Sequence, residues 1–262
     1  VDGVPINNLN FSTASIEQIP VDQIDRIEIV RGNVSALYGA QAVGGVIQVF
    51  TRRGDGPTAL NASVSAGSRA TREARAGIDG AQGGLRYSAQ VARITTDGFN
   101  AIKPEERPET NPDLDGYENT SGSAQVSYAF NADHELGARW LRTRGVVDYD
   151  SEFGPSTQQD QSTQTIETVS AYSRNRLAPI WTSTLNLADS RDKLDANITA
   201  YPYYVTSKGQ QASWQNDLAL AEHWTLTLAA EHLRQTIDSD TTYSTTKRTI
   251  DTLRAGTVGQ IG

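Results

Sequence analysis

The feature that most constrains this chain is alternation. From residue 58 onward, long stretches place apolar and polar side chains on opposite faces with a period of two. In "ALNASVSAG", Leu60, Ala62, Val64 and Ala66 share one face, and Asn61, Ser63 and Ser65 share the other. "SAQVSYAF" sets Ala124, Val126, Tyr128 and Phe130 against Ser123, Gln125 and Ser127. "HWTLTLAAEH" does the same with Trp224, Leu226, Leu228 and Ala230 against Thr225, Thr227 and Glu231. Ten such segments start near residues 58, 70, 84, 118, 133, 161, 180, 204, 224 and 247. Period two belongs to strands, so the chain reads as mainly β.

The connections alternate as well. "GAQGG" (80 to 84), "NAD" (131 to 133) and "AEH" (221 to 223) are hairpin turns. Longer polar connections run near 97–117, 149–160, 190–204 and 238–247. Short turns at one end and long loops at the other are the layout of an antiparallel transmembrane barrel. Tyr87, Phe99, Tyr117, Phe130, Trp140, Tyr149, Trp181 and Trp224 fall near segment ends, where interfacial girdles sit. A competing reading has these aromatics packing the core of a soluble sandwich. Mean hydropathy of −0.48 does not decide, because lipid-facing and lumen-facing residues alternate in a barrel and the average stays polar.

Residues 1–54 have a different style. "IDRIEIV" (24 to 30) predicts a strand carrying Ile24, Ile27, Ile29 and Val30, and "GGVIQVFT" predicts a second one. Between them "NVSALYG" predicts a short helix, with Asn33 as its N-cap and Gly39 at its end. Gly32, Tyr38, Gly39, Gly44 and Gly45 form the turn region, where glycines permit sharp bends. The expectation is a small α/β unit over 1–54 and a β unit over 55–262.

A net charge of −8 argues against a nucleic-acid partner. The absence of cysteine removes thiolate catalysis and cysteine-ligated metal. His134, His223 and His232 are scattered, and no nucleophile elbow or P-loop occurs, so the chain reads as a non-enzyme. The start, "VDGVPINNLNF", has neither an initiator methionine nor a signal peptide, which suggests processing or truncation. In "NPDLDG", Asn111, Asp113 and Asp115 stand at alternate positions before Gly116, as in the first half of an EF-hand loop. Hard oxygen ligands at that spacing suit Ca²⁺, but the distal glutamate is missing, since Gly122 stands there. Asp148, Asp150 and Asp160 of the next long loop offer further oxygens, and solvated acidic loops are the competing reading.

"IDRIEIVRGNVSALYGAQAVGGVIQVFTRRG" closely resembles the end of the plug domain of TonB-dependent outer-membrane receptors, and "VDGVPI" resembles the plug strand before it. "TTDGFNA" (95 to 101) and "NPDLDGYENTS" (111 to 121) look most like the cobalamin-receptor branch. The resemblance implies an α/β plug held inside an outer-membrane barrel of about 22 strands, of which the ten segments here would be a part. It also implies import of a scarce metal-chelate, a corrinoid or alternatively a ferric siderophore, driven through TonB, with outer-membrane lipid as surroundings. Carried over by position, Asp113, Asp115, Asp150 and Asp160 would hold Ca²⁺, with Asn100 as a fifth ligand. Arg26, Glu28 and Arg31 would belong to a charged latch between plug and wall, whereas Arg52 and Arg53 read as routine surface charge. An adhesin or secreted sandwich is the alternative of another class, and it leaves residues 26–54 unexplained.

Overall fold

The structure, a computed structural model, describes the chain apart from residues 7, 11–13, 33, 35–41, 101, 103–104, 106–110, 151–157, 199–200, 222 and 260–262. Two sheets account for the strands. The first pairs β1 (Ile24–Arg31) with β2 (Gly45–Thr51) as an antiparallel hairpin, Ile29 opposite Ile47. The second is a ten-stranded antiparallel meander in unbroken chain order. Its strands are β3 (Ala59–Ala66), β4 (Arg72–Gln82), β5 (Leu85–Phe99), β6 (Asp115–Ala129) and β7 (His134–Tyr149). They continue with β8 (Asp160–Ala178), β9 (Trp181–Asn197), β10 (Tyr203–Ala221), β11 (Trp224–Ser239) and β12 (Lys247–Gly259).

All ten alternating segments are strands of one sheet, and the expected barrel wall is observed as a ten-stranded part. The unit that precedes it has two 3-10 turns, Ile16–Gln18 and Val21–Gln23, ahead of the hairpin. The helix expected from Asn33 to Gly39 lies outside the described residues apart from Val34, whose N–H donates to the Ala42 carbonyl at 3.0 Å, and Tyr38 and Gly39 of the expected turn also lie outside them. Gly32 and Gly45 have φ of 92° and 139°, and the Gly32 N–H donates to the Gly44 carbonyl at 3.3 Å. At Gly45 a Cβ would lie 2.5 Å from the Val30 carbonyl oxygen, so the hairpin needs glycine there.

The faces of the wall differ in chemistry. On β6, Asn119, Ser121, Ser123, Gln125 and Ser127 are buried against the first unit or the inner face, and Ala124, Val126, Tyr128 and Phe130 face outward. The outward row runs on through Leu136, Ala138 and Trp140 of β7, Leu185 and Leu187 of β9, Trp214 of β10 and Leu228 of β11. Apolar-out and polar-in alternation on long strands is the pattern of a lipid-facing wall. Among the described residues, no helix is long and apolar enough to cross a membrane.

The first unit sits against the polar inner face as a plug. Its Ile6 and Ile19 form the core with Leu141 and Ile166 of the wall, which are 1% and 0% exposed. Burying an aliphatic side chain stabilises by roughly 1.5–3 kcal/mol, so each member of this small cluster contributes to docking.

Candidate functional site

The end of the wall that carries the long loops holds three converging carboxylates. Asp113 in the β5–β6 connection, Asp115 at the start of β6 and Asp150 after β7 each offer an oxygen within 4.8 Å of the other two. Their arrangement is local in origin. A bulge between Thr96 and Phe99 opposes Asp115, and Gly98 within it adopts φ 68°. A Cβ on Gly98 would lie 1.7 Å from the Asp115 carbonyl oxygen, so the close approach that sets Asp115 requires glycine. Amides stitch the two loops together. Asn111 Nδ2 donates to the Gln158 carbonyl at 2.9 Å, and Gln159 Nε2 donates to Asp113 Oδ2 at 3.1 Å.

The site is under electrostatic tension. Desolvation, then the charges of Asp115, Asp113 and Asp160, hold the Asp150 carboxyl above the usual carboxylate range. Asp150 Oδ2 is buried without a hydrogen-bond partner among the described residues. A cluster of hard oxygens with an orphaned buried acceptor fits a divalent cation such as Ca²⁺. Asp160 lies outside the trio: it is 1% exposed and accepts from Gln158 Nε2. Asn100 turns to the backbone, its Oδ1 accepting from the Ile102 N–H at 2.9 Å and its Nδ2 donating to the Asn111 carbonyl at 3.4 Å. Geometry thus brings Asp113, Asp115 and Asp150 together and leaves Asp160 and Asn100 around them.

Below the loops, several of the plug's contacts with the wall are made by uncharged groups. Asn119 Nδ2 donates to the Gln18 carbonyl at 3.0 Å, Thr143 Oγ1 donates to the same carbonyl, and Tyr117 O–H donates to Gln18 Oε1 at 3.1 Å. Gln23 Nε2 donates to Ser121 Oγ at 2.7 Å, and both residues are buried. Nearer the loops, the Leu9 N–H donates to Ser207 Oγ at 3.0 Å and Tyr243 O–H donates to Asn10 Oδ1 at 2.8 Å. The residues expected as a charged latch are placed differently. Arg26 pairs with Glu28 at 2.8 Å and Asp25 at 3.4 Å, all within the plug, and exposed Arg31 has no ion pair among the described residues. Among the described residues, the ion pair that crosses from plug to wall has the opposite sense, Asp22 to Arg75 at 4.0 Å.

A cavity of about 950 Å³ remains between plug and wall, lined by Val46, Gln125, Arg139, Tyr172, Asn186 and Gln211 among others. Arg139 lies 4.4 Å over the Tyr172 ring and reaches the Asp2 carbonyl at 3.4 Å, so its cation ties wall to plug across this space.

Residues 1–46 match the TonB-dependent Receptor Plug Domain family. Over those residues the chain is similar to the plug of TonB-dependent receptors. The chain is 27% identical over 242 residues to the vitamin B12 transporter BtuB of Photobacterium profundum, covering 91% of this chain and 39% of that one. It is 37% identical over 158 residues to BtuB of Vibrio vulnificus, covering 58% of this chain and 24% of that one. The chain therefore spans well under half the length of these relatives. Among solved structures, the ferric enterobactin receptor of Pseudomonas aeruginosa with enterobactin bound has a TM-score of 0.70 at 18% identity, covering 94% of this chain and 44% of that one. The pyoverdine-bound FpvA of Pseudomonas aeruginosa follows at 0.67 and 13%, covering 94% and 37%. These likenesses, all below 25% identity, bear on the fold alone: a plug seated against part of a β-barrel wall.

Gln18, Gln23 and their wall partners are the residues that sequence reasoning missed. A signal existed for the core: Leu141 and Ile166 are apolar at positions where the alternation predicts polar, inward-facing residues. An apolar residue of inward parity marks where the plug presses on the wall.

Proposed function

We propose that the receptor binds a corrinoid at its loop end and imports it through plug remodelling driven by TonB. The observation that carries this reading is the convergence of Asp113, Asp115 and Asp150 at the loop end of a chain whose relatives include vitamin B12 transporters. In this reading Ca²⁺ neutralises the three carboxylates, ties the β5–β6 loop to the β7–β8 loop, and presents an ordered surface to the substrate. Asp160 and Asn100 serve as neighbours that keep the acidic pair of loops in register. The uncharged plug contacts yield group by group when force is applied, which suits a plug that must move and return.

The test is calorimetric titration of the full-length receptor in detergent with cyanocobalamin, with and without Ca²⁺. Tight binding that weakens on chelation, and weakens again in Asp113→Ala, is the expected result. Absence of binding in both conditions overturns the corrinoid reading and turns the search to ferric siderophores.

A further inference from the structure

The bulge that sets Asp115 also re-aims an aromatic ring. Val91, Arg93 and Thr95 of β5 have outward parity, and regular alternation would turn Phe99 outward with them. The extra residue between Thr96 and Phe99 reverses that parity. Phe99 therefore pairs with Asp115, on the side from which Tyr117 and Asn119 meet the plug. Phe99, expected in a girdle, thus stands at the inner rim of the loop end and is 52% exposed. The neighbouring β3–β4 turn covers it with a cation: the Arg69 guanidinium lies 4.3 Å over the ring.

The backbone fixes where Arg69 stands. Arg69 and Ala70 hold φ of 56° and 51°, a left-handed pair without glycine that persists only where its surroundings enforce it. The Arg69 carbonyl ties the turn to β5, accepting from the Asp97 N–H at 3.0 Å and from Thr96 Oγ1 at 3.2 Å. Arg69 is exposed and has no ion pair among the described residues, although three carboxylates converge at this end of the wall. Stacking on the ring sets the plane of the guanidinium and leaves its edge N–H groups for a ligand. A planar fork of donors matches the paired oxygens of a phosphate. Because Phe99 and Asp115 are paired in register, an anion on Arg69 lies beside the cation site, where bound Ca²⁺ would offset the carboxylates.

We propose that Arg69, seated on Phe99, is a specificity residue that binds the phosphodiester of a corrinoid's nucleotide arm. This deepens the corrinoid reading and rests on it. The test is calorimetric titration of the full-length receptor, in detergent with Ca²⁺, using cyanocobalamin and dicyanocobinamide, which lacks the nucleotide arm and its phosphate. Arg69→Gln is expected to weaken cyanocobalamin binding about 10–100-fold, the range of a hydrogen bond to a charged group, and to leave cobinamide affinity nearly as it was. Arg69→Lys keeps the charge and loses the fork, so its cyanocobalamin affinity should fall between the two. Equal losses for both ligands overturn the proposal and make Arg69 a structural prop of the turn. Unchanged affinity for both overturns it as well. If the unaltered receptor binds neither corrinoid, the corrinoid reading itself falls, and this inference with it.

Discussion

Asn119 on the wall and Gln18 in the plug are joined backbone to side chain: the Asn119 amide donates to the Gln18 carbonyl at 3.0 Å, and neither residue is open to solvent. Thr143 donates to the same carbonyl, so two wall groups share one plug acceptor. Deleting either donor alone leaves the acceptor satisfied, whereas deleting both strands a buried carbonyl at a cost of about 1–3 kcal/mol. The expected outcome is that Asn119→Ala with Thr143→Val accelerates hydrogen exchange of the plug amides near Ile16–Gln23 by more than the two single changes combined. Additive effects would show that the two donors act independently.

A plug held by neutral groups and by a cation on a neutral carbonyl responds to salt differently from one held by ion pairs. The Asp22–Arg75 pair spans 4.0 Å, and Arg75 also donates to Glu73, so the crossing ion pair contributes little. Raising ionic strength is therefore expected to leave plug-amide protection nearly unchanged in the full-length receptor, and Asp22→Asn to cost less than Gln23→Ala. Steep loss of protection with salt would restore a charged latch.

Leu141 offers the sharpest test of the core. It is 1% exposed and packs with Ile166 against plug residues Ile6 and Ile19. Leu141→Ala should weaken docking by about 2–5 kcal/mol, because the site loses both apolar contact and volume that rigid strands do not refill. The measurement is denaturant release of the plug followed by a label on it. The same change at outward-facing Leu187 should leave plug release unaltered.

The alternation of the wall was legible because it is local: whether a side chain faces in or out follows from parity alone, and ten segment starts fell within a few residues of the strands. Gly45 was legible for a similar reason, since a backbone turn advertises itself through glycine. Partner choice was not. Arg26 has two carboxylates within its own strand, and nothing in the sequence says that these, rather than wall residues, lie within reach. Asp160 shows the same limit from the other side: the family resemblance put it with Asp150, but its side chain meets Gln158. The convergence of Asp113 and Asp115 depends on a bulge across the hairpin, which a motif written along one strand does not contain.

That bulge makes Gly98 a positioning residue for the loop site. Its φ of 68° and the 1.7 Å approach of a Cβ to the Asp115 carbonyl mean that Gly98→Ala must shift Asp115. Changes that disturb the groups orienting metal ligands typically cost about 10–100-fold in affinity, and a loss of that order in Ca²⁺ binding is expected here. Calorimetric Ca²⁺ titration reads it directly, with strand content by circular dichroism unchanged. Unaltered affinity would mean that Asp115 is dispensable to the cation.

The raised value of Asp150 sets a pH dependence whose sign differs with and without the cation. Burial, then Asp115, Asp113 and Asp160, disfavour its charged form in the folded loop. A carboxyl whose folded value exceeds its unfolded one adds stability that is present below the unfolded value and lost as pH rises through the folded one, so the cation-free loops should tighten on acidification. Ca²⁺ reverses this, because it binds the ionised carboxylates and must displace the proton. Its affinity should therefore climb with pH through the raised range of Asp150 and then level off. Calorimetric titrations across that range in buffers of different ionisation enthalpy would register proton release on binding. Asp150→Asn should abolish both the release and the climb. A pH-independent Ca²⁺ affinity in the unaltered receptor would place the cation elsewhere than on Asp150.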